Sequence, residues 1–218
     1  MANGIYKITE DFENELSKYT GAKHVVTVDN MSNGLFLALY YEHYINKNIE
    51  TDTITIPNRT YPSVPCEIIH AGLKVNWNKK HPQVYKGKLT GAYQLKGSNI
   101  WDSALRFTHN MYIPNSHMCV SFTGPYKHFK LSKGGAILTD DHDAYLWFKR
   151  ARFSGRRECA YEDDNFDMLG WNFYMMPELA ARGCLLMKQF YDINNNPKHN
   201  EDITHPYPNL SKFKIYTQ

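Results

Sequence analysis

Apolar residues recur at helical spacing near the start of the chain. Phe12, Leu16 and Tyr19 fall at i, i+4 and i+7, which predicts an amphipathic helix over residues 9–19 stopped by Gly21. A β-branched run at 24–28 predicts a strand. A polar turn at 29–34 and a strongly apolar helix at 35–45 follow it. Residues 53–56 predict a second strand, closed by Pro57, then a helix at 64–71 ending at Gly72 and a strand at 73–77. The stretch 79–97 is polar and reads as a loop with room for one short strand. Strands are expected at 98–102, 118–122 and 136–139, and helices at 143–152 and 178–191. Beyond Asp192 the chain is rich in Asn, Pro and Lys, which suits an extended arm, a lid or a disordered tail.

Strands alternating with helices imply an α/β fold with a mostly parallel central sheet flanked by helices. We expect one large domain over 1–191 and a C-terminal arm or tail over 192–218. The 218 residues are 42% apolar and 22% charged, ordinary for one globular core. The net charge of +3 is too weak to argue for nucleic acid. The basic run from Lys149 to Arg157 is broken by apolar residues and followed by acids, so it reads as a solvated helix face rather than a phosphate site. Four scattered cysteines contain no Cys-x-x-Cys pair, which gives no support to a zinc ribbon or redox motif. Cys119 and Cys184 lie in apolar runs and are expected to be buried, reduced thiols of a cytoplasmic protein. The histidines lack the paired spacing of a metal site. No run of 18 apolar residues predicts a membrane span.

In open α/β sheets, ligands bind outside the carboxyl ends of the strands. Chemistry-bearing residues cluster at such ends here. Lys127 lies between the strand 118–122 and the pair Gly134-Gly135, where it can form a Schiff base with an aldehyde or ketone. Asp102 ends an apolar strand and is expected to be partly buried at the sheet edge. Ser32 lies in the turn that opens a helix straight after a strand, the geometry that binds phosphate. Ser121 offers a second hydroxyl, and Tyr61 can stack on a ring. Each has a plainer reading: a solvated lysine, a helix cap at Asp102 or Ser32, a core tyrosine. Together they supply what a pyridoxal 5'-phosphate site needs.

The same residues carry a family resemblance. The segments Gly21-Ala22-Lys23-His24, Pro57-Asn58-Arg59-Thr60-Tyr61, Asp102-Ser103-Ala104, Ser121 to Lys127 with Gly134-Gly135, and Gly170-Trp171-Asn172 resemble, in order, motifs of the DegT/DnrJ/EryC/StrS sugar aminotransferases. The resemblance implies the aspartate-aminotransferase fold and pyridoxal 5'-phosphate as cofactor. It implies that Lys127 carries the cofactor and shuttles protons, that Asp102 pairs with the pyridine nitrogen, and that Ser32 and Ser121 contact the phosphate. Met31 and Ala104 would line the cofactor site, Tyr61 would stack on the ring, and Asn172 would reach the phosphate of a neighbouring subunit in a homodimer. The implied reaction moves an amino group, usually from glutamate, to a nucleotide-linked keto sugar.

The sequence also departs from the pattern. The phosphate turn reads Met31-Ser32 in place of Gly-Thr. Leu105 stands where a Gln or His is usual, Lys133 where an acid is usual, and Tyr174 where an arginine is usual. The spacing from Ser121 to Lys127 is one residue longer. The stretch between Trp77 and Asp102 is short, and the family's small C-terminal domain is expected to be largely absent, a compact form that suits a small genome such as a virus's. Two alternatives remain open: sugar dehydration on the same cofactor, where histidine replaces the lysine and His128 adjoins Lys127, and a non-catalytic homologue that binds cofactor or a partner.

Overall fold

A computed structural model describes residues 6–79, 84–85, 88–89, 91–125, 127–193 and 207–216. Helix α1 (Lys7–Thr20) buries Phe12, Leu16 and Tyr19, and Gly21 ends it at φ 79°. Strand β1 (His24–Val28) leads into α2 (Met31–Tyr40), which runs on through one π-helical turn, Tyr41–Ile45. Helix α2 thus starts four residues earlier than the apolar pattern implied. The Asn30 side chain accepts the Asn33 N–H at 2.9 Å, so the polar residues Ser32 and Asn33 form a capped first helical turn instead of a loop.

The remaining elements are β2 (Thr53–Pro57), α3 (Ser63–His70), β3 (Lys74–Asn78), β4 (Val84–Tyr85), β5 (Lys88–Leu89), β6 (Tyr93–Gln94), β7 (Ile100–Ser103), β8 (His117–Ser121), β9 (Gly135–Thr139), α4 (His142–Ala151) and α5 (Pro177–Ile193). The expected loop at 79–97 therefore holds a small β4–β5 pair as well as β6, while residues 80–83, 86–87 and 90 lie outside the described residues. Of the expected tail, 194–206 and 217–218 also lie outside them. Residues 207–216 form two short 3-10 turns, Leu210–Lys212 and Lys214–Tyr216.

Strand direction places the site. β1 is antiparallel to β9, and β9 is antiparallel to β8, so β1 and β8 point the same way. β7 is parallel to β8, and β6 is antiparallel to β7. Just past β6, Lys96 exchanges both backbone hydrogen bonds with Thr55 of β2, at 2.9 and 3.1 Å, again antiparallel. β2 and β3 are parallel. Strands β1, β2, β3, β7 and β8 therefore share one direction, and their carboxyl ends open on one side. The mostly parallel arrangement holds for direction; many neighbouring pairs are antiparallel because β6 and β9 are interleaved against it.

Alternation along the strands builds a core on each face. Val26, Val28, Cys119 and Ile137 pack with α2, α3 and Phe148 of α4. Val25, Met118, Val120, Ala136 and Leu138 pack with α1 and with Met187 and Phe190 of α5. Fully burying one such large side chain is worth about 1.5–3 kcal/mol. Cys119 is buried as expected, but Cys184 is only half-buried. On α5 the core-facing positions are Ala180, Met187 and Phe190, and Cys184 falls beside that stripe. At the edge strand β1, a buried charge pair joins α1 to Arg152, the residue that follows α4. Glu13 accepts the Thr27 N–H at 2.9 Å and the Thr27 hydroxyl at 2.8 Å, and it also accepts from Arg152.

Candidate active site

A cavity of about 490 Å³ opens at the shared carboxyl ends of the strands, within the range of ordinary ligand sites. Its lining includes Lys127, Asp102, Ser32, Met31, Tyr61, Ala104 and Ser121. Seven residues singled out in the sequence thus meet in one place.

Asp102 is not at a sheet edge. β7 lies between β8 and β6, so the residue is 4% exposed. Its carboxylate accepts the Ala104 N–H at 2.9 Å. Tyr93 is fully buried, faces Asp102 in the β6–β7 register, and its hydroxyl lies 2.7 Å from that of Thr60. Burial raises the Asp102 carboxyl above the usual carboxylate range, while the Ala104 N–H, the Tyr93 hydroxyl and the Lys127 charge pull against that rise.

Lys127 reaches Asp102's neighbour. Its Nζ donates to the Ala104 carbonyl at 2.8 Å. Burial pushes its amine below the ordinary lysine value, and the Asp102 charge partly offsets this. The loop carrying it is pinned at both ends. The Thr123 hydroxyl donates to the Gly134 carbonyl at 3.2 Å and accepts the Gly134 N–H at 3.1 Å, and the Leu131 N–H reaches the Phe122 carbonyl at 3.1 Å. His128 turns the other way. Its Nδ1 meets the Phe107 backbone, and it does not line the cavity.

The glycine pair sets the floor. A Cβ on Gly135 would lie 2.6 Å from Met31 N and 2.7 Å from Met31 Cα, so only glycine lets the start of α2 rest on β9. This brings Ser32 to the cavity, where its hydroxyl bonds that of Ser63 at 2.8 Å. The amino ends of α2 and α3 therefore converge, with the positive ends of two helix dipoles aimed at one spot. Ser121, at the end of β8, faces the same space.

Tyr61 stands 57% exposed at the rim, edge-on to Tyr207 with ring centroids 6.2 Å apart. Leu105 lines the cavity where a polar residue is usual in the resembled family. Asn172 does not join the group. It is exposed and pairs with Phe153 in an isolated bridge, one residue before the Phe173 carbonyl that receives the Asp29 N–H at 2.8 Å. Lys133 lies 3.9 Å from Asp29, and Tyr174 packs edge-on to Tyr6 and Phe153.

Four residues of the site escaped sequence reasoning. Thr60 and Tyr93 act behind Asp102, and Tyr93 lay in a stretch read as polar loop. Ser63 follows Pro62 at the start of a helix, a cap signal that could have found it. Tyr207 lies in the aperiodic tail and carried no signal.

Residues 3–86 match the model of the DegT/DnrJ/EryC1/StrS aminotransferase family. No curated protein matches the sequence. Several solved structures share the fold. AtS13 from Actinomadura melliaura has a TM-score of 0.68 at 16% identity, over 86% of this chain and 61% of that one. A putative PLP-dependent aminotransferase from Bacillus cereus has 0.69 at 20%, over 86% and 60%. Helicobacter pylori PseC, an aminotransferase involved in the biosynthesis of pseudoaminic acid, has 0.66 at 14%, over 87% and 59%. The chain spans about three fifths of the length of these structures. Over residues 3–86 the resemblance to the DegT/DnrJ/EryC1/StrS aminotransferase family is borne out, and the fold is that of the PLP-dependent aminotransferases.

Proposed function

We propose that this chain binds pyridoxal 5'-phosphate and transfers an amino group from an amino acid, with glutamate as the expected donor, to a nucleotide-linked keto sugar. The observation that carries the proposal is a pair of bonds to Ala104. Its N–H goes to the Asp102 carboxylate at 2.9 Å, and its carbonyl receives the Lys127 amine at 2.8 Å. A buried carboxylate and a half-buried amine are thereby held on one cavity wall.

The donor set suits the cofactor. The hydroxyls of Ser32 and Ser121 and the amino end of α2 offer phosphate donors. The buried Asp102 can keep a ring nitrogen protonated, and Tyr61, Met31 and Ala104 supply faces for a ring. When bound, the cofactor supplies an electrophilic carbon and an electron sink. Lys127 contributes the nucleophile. Its depressed pKa makes more of the neutral amine available near working pH, and the same amine can carry a proton between donor and acceptor carbons. Tyr93, bonded to Thr60, backs Asp102 from the adjacent strand. Asn172, exposed and outside its own chain's cavity, would serve the cavity of a second copy in a homodimer.

Sugar dehydration on the same cofactor draws less support, because His128 lies outside the cavity while Lys127 lies in it. The purified chain with added cofactor should turn yellow, borohydride should fix the added mass on Lys127, and glutamate should bleach the band. A chain that stays colourless defeats the proposal. Release of keto sugar without an amino donor selects dehydration instead.

A further inference from the structure

The cavity has a wall that belongs neither to the sheet nor to the Lys127 loop. It comes from the far end of the chain. Tyr207 lines the cavity, and its phenol is pushed up to about 12 by burial and by the negative charge of Asp102. Its ring meets Tyr61 edge-on, so two aromatic side chains far apart in the sequence flank the cavity mouth.

The segment behind Tyr207 is fastened rather than draped. The Arg59 guanidinium donates to the Tyr207 carbonyl at 2.7 Å, and the Leu210 N–H donates to the Asn58 carbonyl at 2.8 Å. Leu210 is 3% exposed. Farther along, Tyr216 packs edge-on to Trp77 with centroids 6.4 Å apart. The anchors sit on β3 and on the loop after β2, the same loop that carries Tyr61. Tyr61 and Tyr207 are thus set by one small body of structure.

We propose that Tyr207 is a ligand-binding wall of this cavity, holding a flat-faced ring against the Asp102–Lys127 side, with the 207–216 segment as its fixed mount. The inference rests on the cofactor reading above for the identity of that ring. Tyr207 and its mount are this chain's own and were not singled out by the sequence pattern. The geometry fits a ligand with an aromatic ring or a sugar face, because Tyr61 and Tyr207 both line the cavity and offer ring surfaces.

The test uses the full chain, pyridoxal 5'-phosphate as probe, and the variants Tyr207→Ala, Tyr207→Phe and Arg59→Ala. Cofactor affinity is read from visible absorbance, folding from thermal unfolding, and the seat of Tyr207 from its nitration rate by tetranitromethane in the unliganded chain. Tyr207→Ala should weaken cofactor binding by about tenfold, the scale of one lost aromatic contact, with unfolding little changed. Tyr207→Phe should restore most of the affinity, and Arg59→Ala should fall between. Tyr207 should nitrate more slowly than the exposed Tyr61. Unchanged affinity in Tyr207→Ala overturns the wall while leaving the cofactor reading intact. A wild-type chain that binds no cofactor but protects Tyr207 overturns only the cofactor reading. Nitration of Tyr207 as fast as Tyr61 overturns the wall in either case.

Discussion

Tyr93 of β6 faces Asp102 of β7 directly across the strand register, and its hydroxyl works against the rise that burial imposes on the Asp102 carboxyl. Tyr93 comes from the stretch before β7 that the sequence pattern reads as polar loop. A fully buried carboxylate needs such donors, because burial alone favours its protonated form.

Tyr93→Phe should therefore remove one donor and leave Asp102 less able to stay charged. We expect a loss of about 1–3 kcal/mol in chemical denaturation, the scale of a hydrogen bond to a charged group. The Asp102 carboxyl should also titrate at higher pH than in the wild type, as followed by carbon NMR in the unliganded chain. An unmoved Asp102 titration would show that the hydroxyl does not support the charge.

Much of this site was legible because each residue sits where a local pattern changes. Asp102 and Ser121 stand at the carboxyl ends of strands, Ser32 and Lys127 follow within a few residues of one, and strand ends can be read from apolar runs. Tyr93 and Tyr207 were not legible. Their roles depend on which strands are neighbours and on where the tail returns, and neither leaves a periodic trace. The start of α2 was misread for a related reason: Ser32 and Asn33 look like loop residues until the Asn30 cap and the bare surface of Gly135 are seen. The burial of Asp102 was underread because β6 covers what would otherwise be an edge.

Gly135→Ala tests that floor. The added methyl would lie within 3 Å of Met31 N, Met31 Cα and the Val120 carbonyl, all backbone atoms that cannot swing aside. Overpacking of this kind costs about 1–3 kcal/mol. Because relief requires α2 to lift from β9, cofactor affinity should drop along with stability. A variant with wild-type denaturation and wild-type absorbance titration would rule this geometry out.

Lys127 has a lowered pKa in the folded chain and an ordinary one when unfolded. Between those two values the unfolded state holds more protons, so Lys127 makes stability rise with pH across that window, which ends near 10.5. Lys127→Met should abolish that rise. Asp102 favours the charged amine, so Asp102→Asn should lower the Lys127 pKa further and start the rise at lower pH. Urea denaturation of the three chains between neutral and alkaline pH measures both effects, and parallel curves for wild type and Lys127→Met would refute the shift.

Far from the cavity, His117 Nε2 lies 2.7 Å from Glu42 Oε1, with both side chains essentially unexposed, and His117 Nδ1 lies 3.0 Å from the Thr139 hydroxyl. Burial works to raise the Glu42 carboxyl, but the bond and charge from His117, with help from Asn46, outweigh it and hold the group below its ordinary value. A depressed carboxylate stabilises the fold above its unfolded pKa of about 4.5, and that share is lost as pH falls through the lower folded value. His117→Ala removes the partner and leaves Glu42 buried in the π-helical turn. Breaking such a pair from one side costs about 3–5 kcal/mol. Glu42→Gln with His117 intact should cost less, since an amide can still bond the ring without a buried charge. Thermal unfolding at neutral pH ranks the two variants, and a His117→Ala chain no less stable than Glu42→Gln would show that the charge on Glu42 is not what the histidine holds in place.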